Sequence, residues 1–387
     1  MKRFASPYLC CPICQGGAEP MLNLSFSEKK WLPDEITLAI CVSCDFAFTS
    51  PADADDYVRY YTANTNDLIS SNDEPPREEQ LRYYKQASFL QELLDRPAPK
   101  HVLDIGCGAG GLLRTLRKQF SQHAYHGTDP NLNLDKGMDG VTLSHDWQGL
   151  PKIFDLIVLS HTLEHVVDLE EISAIKELLV PNGFLYAEVP DASRYGEFPR
   201  REYLYYIDRL HINHFTPTSL GYLLESRGMS LTWAGQHDFQ YKDGELYPAC
   251  CALFAESATT SKAANISAST RLADALPLYL NGEVERAKIW RQKLAGASSI
   301  LVYGFGDNFF RALSPNGPLT GLLVQAIVDQ RWEALRQSRY ADTYQFIGLP
   351  EAVEKYAHSP IVITVSFGGE AIAQTLRKAG YQRVFIL

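Results

Sequence analysis

Val102-Leu103-Asp104-Ile105-Gly106-Cys107-Gly108-Ala109-Gly110 runs from an apolar strand into a glycine-rich turn, and Leu112-Leu113-Arg114-Thr115-Leu116 continues it as a helix. Glycines let the backbone turn sharply and come close to a ligand, while amides at the helix start face its electronegative groups. The stretch therefore reads as a nucleotide-cofactor loop. A dinucleotide loop follows its strand with Gly-x-Gly-x-x-Gly, whereas here Asp104 precedes glycines at every second position. Outward from it, strand and helix patterns alternate from Lys100, which predicts an α/β domain with a doubly wound parallel sheet and ligands at the carboxyl ends of its strands. The second strand, Ala124-Tyr125-His126-Gly127-Thr128, ends at Asp129, a carboxylate placed to accept two hydrogen bonds from a ribose diol. A further strand, Phe154 to Ser160, reads as buried on both faces and delivers His161-Thr162-Leu163-Glu164-His165 to the same edge.

Composition narrows the classes. The 387 residues suffice for two or three domains, and the net charge of -10 disfavours nucleic acid as a partner. No signal-peptide core or membrane span is read, so a soluble cytoplasmic protein is expected. Four of the eight cysteines form the pairs Cys11-Pro12-Ile13-Cys14 and Cys41-Val42-Ser43-Cys44, the spacing of two knuckles around one tetrahedral structural zinc, with Cys10 spare. Up to Asp56 the segment has basic Lys2, Arg3, Lys29 and Lys30 against acidic Glu19, Glu28, Asp34, Glu35, Asp45, Asp53, Asp55 and Asp56, the wrong balance for a ribbon that holds phosphates.

The expected domains are a zinc ribbon over 1–57, a linker and helix over 58–97, a cofactor domain over 98–258, a helical linker over 259–297 and a small Rossmann-like lobe over 298–387. A helix is predicted from Arg77 to about Leu94 with Tyr83, Ala87, Leu90 and Leu94 on one face. Upstream, Tyr57, Tyr60 and Tyr61 read either as interdomain packing or as lids over a polar substrate. Ser230–Trp233 and Cys251–Phe254 are expected as an antiparallel pair with Cys250 and Cys251 as buried thiols, and Thr259–Asn265 as a boundary. The linker helix, with Leu272, Leu276 and Leu280 on one face, is expected to break near Asn281-Gly282. In the last lobe Ile300-Leu301-Val302-Tyr303-Gly304-Phe305-Gly306 repeats the strand-to-glycine turn, but Phe309 stands where a third dinucleotide glycine belongs, so a lobe without its own cofactor is expected. Ser366-Phe367-Gly368-Gly369 reads equally as a phosphate contact or as structure.

Asp104 and the glycines Gly106, Gly108 and Gly110 resemble motif I of the class I S-adenosylmethionine-dependent methyltransferases, and Asp129, the His161–His165 strand end and Pro181-Asn182-Gly183 before Phe184–Pro190 resemble their later motifs in order. The resemblance implies S-adenosylmethionine as cofactor, with Asp146 accepting from the adenine amino group, Trp147 against its ring and His161 at the cofactor edge. His161, Glu164, His165 and Asp168 have spacing that a helix would place on one face, which reads as a metal site or, as is commoner in this fold, as structure. Tyr205-Tyr206-Ile207-Asp208-Arg209-Leu210-His211-Ile212-Asn213-His214-Phe215-Thr216 is similar to a segment of the zinc-ribbon sugar C-methyltransferases, which also end in a Rossmann-like lobe.

That resemblance implies a sugar or nucleotide-linked sugar as the small-molecule acceptor, with His211 as base, Tyr206 donating to an enolate oxygen and His165 beside them. A packing or helix-capping role for His211 and His214 is the open alternative. Leu210 replaces the family's glutamate, and Lys242-Asp243-Gly244-Glu245 replaces its His-Gly-Gly segment, so O-methylation stays open beside C-methylation. An RNA methyltransferase guided by the ribbon and a non-catalytic cofactor-binding scaffold are the alternatives from other classes. The sequence assigns no oligomeric state.

Overall fold

A computed structural model describes residues 9–63, 77–95, 98, 100–135, 137–240, 244–256, 270–366 and 368–387. The Thr259–Asn265 boundary, Lys242, Asp243 and Phe367 lie outside the described residues. The chain begins with strands β1 (Leu9–Cys10), β2 (Gly17–Ser25), β3 (Glu35–Cys41) and β4 (Phe46–Ser50), followed by helices α1 (Ala54–Ala63) and α2 (Arg77–Leu94). The cofactor domain continues with β5 (His101–Ile105), α3 (Gly111–Gln119), β6 (Ala124–Thr128), β7 (Val141–Ser144), β8 (Phe154–Ser160), α4 (Glu171–Lys176) and β9 (Leu179–Pro190). Then come β10 (Asn213–His214), α5 (Pro217–Ser226), β11 (Ser230–Gln240) and β12 (Leu246–Ala255). The last part holds α6 (Leu272–Lys293), β13 (Ser299–Tyr303), α7 (Asp307–Leu313), β14 (Leu323–Val328), α8 (Trp332–Leu335), β15 (Phe346–Ile347), α9 (Leu349–Tyr356), β16 (Ile361–Ile363), α10 (Gly369–Lys378) and β17 (Val384–Ile386). No helix among the described residues is long and apolar enough to cross a membrane.

The central seven strands run in the order β11-β12-β9-β8-β5-β6-β7. Five neighbours from β7 to β9 are parallel, while β12 pairs antiparallel with β9 and β11 with β12. Val102, Leu103, Leu156, Ile157 and Val158 are fully buried, as continuous apolar strands covered on both faces must be. Ala87, Leu90 and Leu94 of α2 are equally buried and pack with Leu113 and Leu116 of α3 on one side of the sheet. The Pro181–Gly183 turn is an excursion within β9: Asn182 has φ 64°, and pairing with β8 passes from Leu179 to Phe184. The predicted antiparallel pair is a longer hairpin, and Cys250 and Cys251 are buried in it.

The N-terminal sheet has the order β1-β2-β3-β4-β10, so its last strand comes from beyond the cofactor domain's fifth strand and the ribbon is stitched into that domain. The last lobe is a parallel sheet of order β15-β14-β13-β16-β17. One expectation about the linker is corrected. α6 runs unbroken through Asn281-Gly282. A helical glycine costs about 1 kcal/mol, and Glu283 next to it holds the helix by accepting from the Leu204 N–H at 2.7 Å and pairing with Arg286.

All three parts meet at Arg209, which is fully buried. Its guanidinium donates to Ser27 O at 2.7 Å, in the ribbon, and to Asp307 Oδ1 at 2.8 Å, at the start of α7. Asp307 also accepts from Ser27 Oγ and pairs with Lys29, and these cations hold its carboxyl below the usual range against the opposing effect of burial. Arg311 of α7 reaches Glu202 at 3.1 Å and Asp208 at 3.5 Å. The segment between Glu202 and His211 is thus gripped from both flanking parts.

Candidate active site

Gly106, Gly108 and Gly110 have φ of 76°, 51° and 70°, a region costly for residues with a Cβ. The Gly106 and Cys107 amides both donate to Thr128 O, which ties the turn to the end of β6. A Cβ on Gly106 would lie 2.5 Å from Thr162 Oγ1, whereas one on Gly108 would meet nothing within 4 Å, so the loop is tight behind and open in front. Asp129 accepts from the Gly108 amide at 3.0 Å and the Asn131 amide at 2.9 Å. Asp104 is buried with Oδ1 lacking a partner among the described residues, and burial, then the charge of Asp129, pushes its carboxyl up to about 8. A buried acceptor in that state suits a ligand that brings a cationic donor.

A cavity of about 550 Å³ opens over this loop. Gly106, Asp129, Asp146 and Trp147 line one part of it, His161 and His165 another, and Tyr57 and Tyr61 of α1 close it. Asp104, Gly108 and Gly110 are not among the residues that line it. Tyr57 and Tyr61 line the cavity, and Tyr60 packs with them in the adjoining apolar cluster. Tyr57 is buried and donates to Arg209 O, and Tyr61 Oη lies 3.0 Å from His165 Nδ1.

Residues 161–165 do not form the expected helix face. His161 has φ 53°, and Leu163–His165 make one 3₁₀ turn, which leaves Asp168 exposed and separate. His161 is clamped instead between two buried carboxylates, with Nδ1 3.2 Å from Glu164 and Nε2 3.2 Å from Glu188. Burial alone would lower the His161 pKa, but the two hydrogen bonds outweigh it and raise the pKa. The same pairing holds Glu164 low, and bonds from His161 and His237 hold Glu188 low, against the desolvation that would raise both. Both ring nitrogens of His161 are spoken for, so its assignment to the cofactor edge is one of framing the wall.

His165 is held differently. Its Nδ1 lies 2.9 Å from Leu210 O, and because a carbonyl only accepts, Nδ1 carries the proton and Nε2 keeps a lone pair. Asn213 donates to Leu163 O and Val166 O on either side of this turn, so β10 fixes it in place. His211 stands one ring behind, 4.8 Å from His165 edge-to-face, and burial followed by His165 lowers its pKa to about 4. The helix-capping alternative fails for the pair: Thr216 caps α5 in a capping box with Ser219. His214 sits instead in β10 against Tyr195.

Tyr206 is corrected. It is 1% exposed, stacks on Tyr195 at 4.1 Å and donates to Phe198 O at 2.6 Å, and it is not part of the cavity wall. Its hydroxyl is already satisfied within an aromatic core, so it is not placed to serve an enolate.

Residues 77–232 match a family model described as a methyltransferase domain. The chain carries a methyltransferase domain. The strand order, the motif I loop and this match make the protein an S-adenosylmethionine-dependent methyltransferase. No curated protein sequence matches it. Solved structures similar to it include an S-adenosylmethionine-dependent methyltransferase from Methanosarcina mazei, 16% identical over 42% of this chain and 94% of that one, with a TM-score of 0.34. Another is the Burkholderia thailandensis 1,6-didemethyltoxoflavin-N1-methyltransferase with its substrate and S-adenosylhomocysteine bound, 16% identical over 58% and 96%, with a TM-score of 0.40.

Several residues of the methyltransferase domain escaped the sequence reading. Gln86 donates to Glu188 at 2.6 Å and to Ser160 at 2.8 Å, Tyr186 donates to Glu188 at 2.6 Å, and His237 Nε2 lies 3.1 Å from the same carboxylate. Arg82 lies close enough to Asp104 and Glu188 to act on both charges. The one available signal was Glu188 itself, a charge within the apolar run Phe184–Val189.

Outside the domain, Cys11, Cys14, Cys41 and Cys44 place their sulfurs within 4.8 Å of one another, with Cys11–Cys44 and Cys14–Cys41 at 3.5 Å. Those separations exceed a disulfide's ~2.05 Å and approach the ~3.8 Å between sulfurs at tetrahedral corners around zinc. Cys10 is exposed and apart. In the last lobe, Asp329 accepts from the Phe305 amide and pairs with Arg331, whose guanidinium also caps Phe305 O. Phe309 is fully buried beside Phe305 and Tyr344, so internal partners occupy this glycine turn.

Proposed function

We propose that this methyltransferase acts on a small polar acceptor, a sugar or nucleotide-linked sugar, by C- or O-methylation. The observation that carries the proposal is one cavity of about 550 Å³ with the cofactor loop on one wall and His165, backed by His211, on another. S-adenosylmethionine supplies a methyl group on a sulfonium already activated for in-line displacement. The protein's task is then to align the acceptor, exclude water and neutralise the proton it loses. Asp129 and the Gly108 loop hold the ribose end, Asp146 and Trp147 meet adenine, and Asp104 with Arg82 balances the amino-acid end. Tyr57 and Tyr61 close the cavity, and the His165–His211 corner meets the acceptor whose proton must leave. The Arg209 junction holds the His211 segment between ribbon and lobe, which accounts for three parts around a single site. Incubation of the protein and methyl-labelled cofactor with a panel of nucleotide-linked keto sugars, hydroxy sugars and small phenols should label a sugar. Labelling confined to phenols or amines would overturn the acceptor class.

The four-cysteine cluster is proposed to hold one structural zinc, because four thiolates leave no open position for chemistry. Metal analysis of the purified protein should return one zinc per chain, and Cys44→Ser should release it and lower Tm. A stably folded, zinc-free protein would remove the ion from the fold.

A further inference from the structure

We infer that Glu164, His165 and His211 form a second metal site, for a divalent transition ion, at the acceptor end of the cavity. One donor atom from each lies within 4.8 Å of the other two. Their supporting contacts are those that a metal site requires. Leu210 O lies 2.9 Å from His165 Nδ1, so a backbone carbonyl orients the ring, and a metal would be taken by Nε2. Glu164 engages His161 through Oε1, while Oε2 is buried without a partner among the described residues. A carboxylate oxygen left bare at 1% exposure costs desolvation energy that a cation would recover.

Two imidazoles and one carboxylate select manganese, iron, cobalt, nickel or zinc over magnesium, which prefers an all-oxygen shell. Three protein ligands leave further positions free, and His165 is the member of the set on the cavity wall. On the acceptor reading above, an acceptor hydroxyl fills one of these positions. Coordination lets it release its proton to water; the new O–C bond then forms as the S–C bond breaks, with the electron pair left on sulfur. The sequence motif shares Glu164 and His165 with this site but adds His161 and Asp168 in place of His211, because it assumes a helix that the chain does not form here.

Manganese distinguishes this site from the cysteine cluster, since a hard ion avoids four thiolates. Protein with its cysteine site loaded with zinc is titrated with MnCl2 alone while free Mn2+ is followed by electron paramagnetic resonance. One bound Mn2+ per chain is expected, lost in His211→Gln and in Glu164→Gln and retained in Tyr206→Phe. No bound Mn2+, or binding unchanged in both variants, overturns the site. Should those two fail to bind S-adenosylhomocysteine as folded protein does, His165→Gln makes the same measurement. Sugar methylation without Mn2+ binding removes the ion and leaves the acceptor reading; a bound ion with no sugar turnover removes the acceptor reading and leaves the ion.

Discussion

Calorimetric titration with S-adenosylhomocysteine should show binding to the wild-type protein that Gly106→Val abolishes and Asp129→Ala weakens by roughly a hundredfold or more. The valine would place a Cβ 2.5 Å from Thr162 Oγ1 at φ 76°, where a β-branched residue is strained, and Thr162 is itself held to Ile105 O. On the proposed cofactor placement, removing Asp129 takes away the charged acceptor for the ribose, whose hydrogen bonds would each be worth about 1.5–3 kcal/mol, and it frees the Gly108 amide that shapes the loop. Unchanged affinity in both variants would end the assignment of this loop to the cofactor. The pH profile is a second mark. With its carboxyl near 8, Asp104 holds a proton at neutral pH in the free protein and must release it to meet an ammonium group. Affinity should therefore rise as pH increases toward about 8 and proton release should accompany binding at pH 7; a flat profile would separate Asp104 from the cofactor's amino group.

Methyl transfer should fall by about 10²–10⁴-fold in His165→Ala and His211→Ala, with S-adenosylhomocysteine affinity kept. His165 lines the cavity and His211 packs against it, so both losses belong to kcat rather than to cofactor binding. Tyr206→Phe is the contrasting case. Its hydroxyl bonds Phe198 O inside an aromatic core, so the substitution should cost about 1 kcal/mol of stability and leave turnover near wild type. A Tyr206→Phe enzyme as inactive as His211→Ala would restore the enolate role that the sequence resemblance implies. His165→Ala at wild-type speed would take the histidine corner out of the reaction.

The contrast between these residues shows what local sequence carries. The strand from Val102 to Ile105, the glycines after it and α2 from Arg77 to Leu94 were legible because their signals are periodicity and turn chemistry within a few residues. The cysteine pairs were legible because knuckle spacing is local too, although only the pairing of β2 with β3 brings the two knuckles together. The unbroken α6 was misread since a glycine's helix cost is local while Glu283's grip on Leu204 is not. Glu188 drew no role from sequence because three of its partners, Gln86, His161 and His237, come from α2, the turn after β8 and β11.

The sequence by itself thus determined the donor side: a strand, its glycine turn and a carboxylate at the end of the next strand define a cofactor loop wherever the sheet forms, because their geometry is built into contiguous backbone. Only the tertiary structure brought the histidine corner together. Asn213 grips the His165 turn, Leu210 O sets its tautomer, and Arg209 bonded to Ser27 and Asp307 holds the segment bearing His211, through contacts that cross from 45 to 182 positions of chain. Such pairings depend on which surfaces fold together, and no spacing along the chain encodes them.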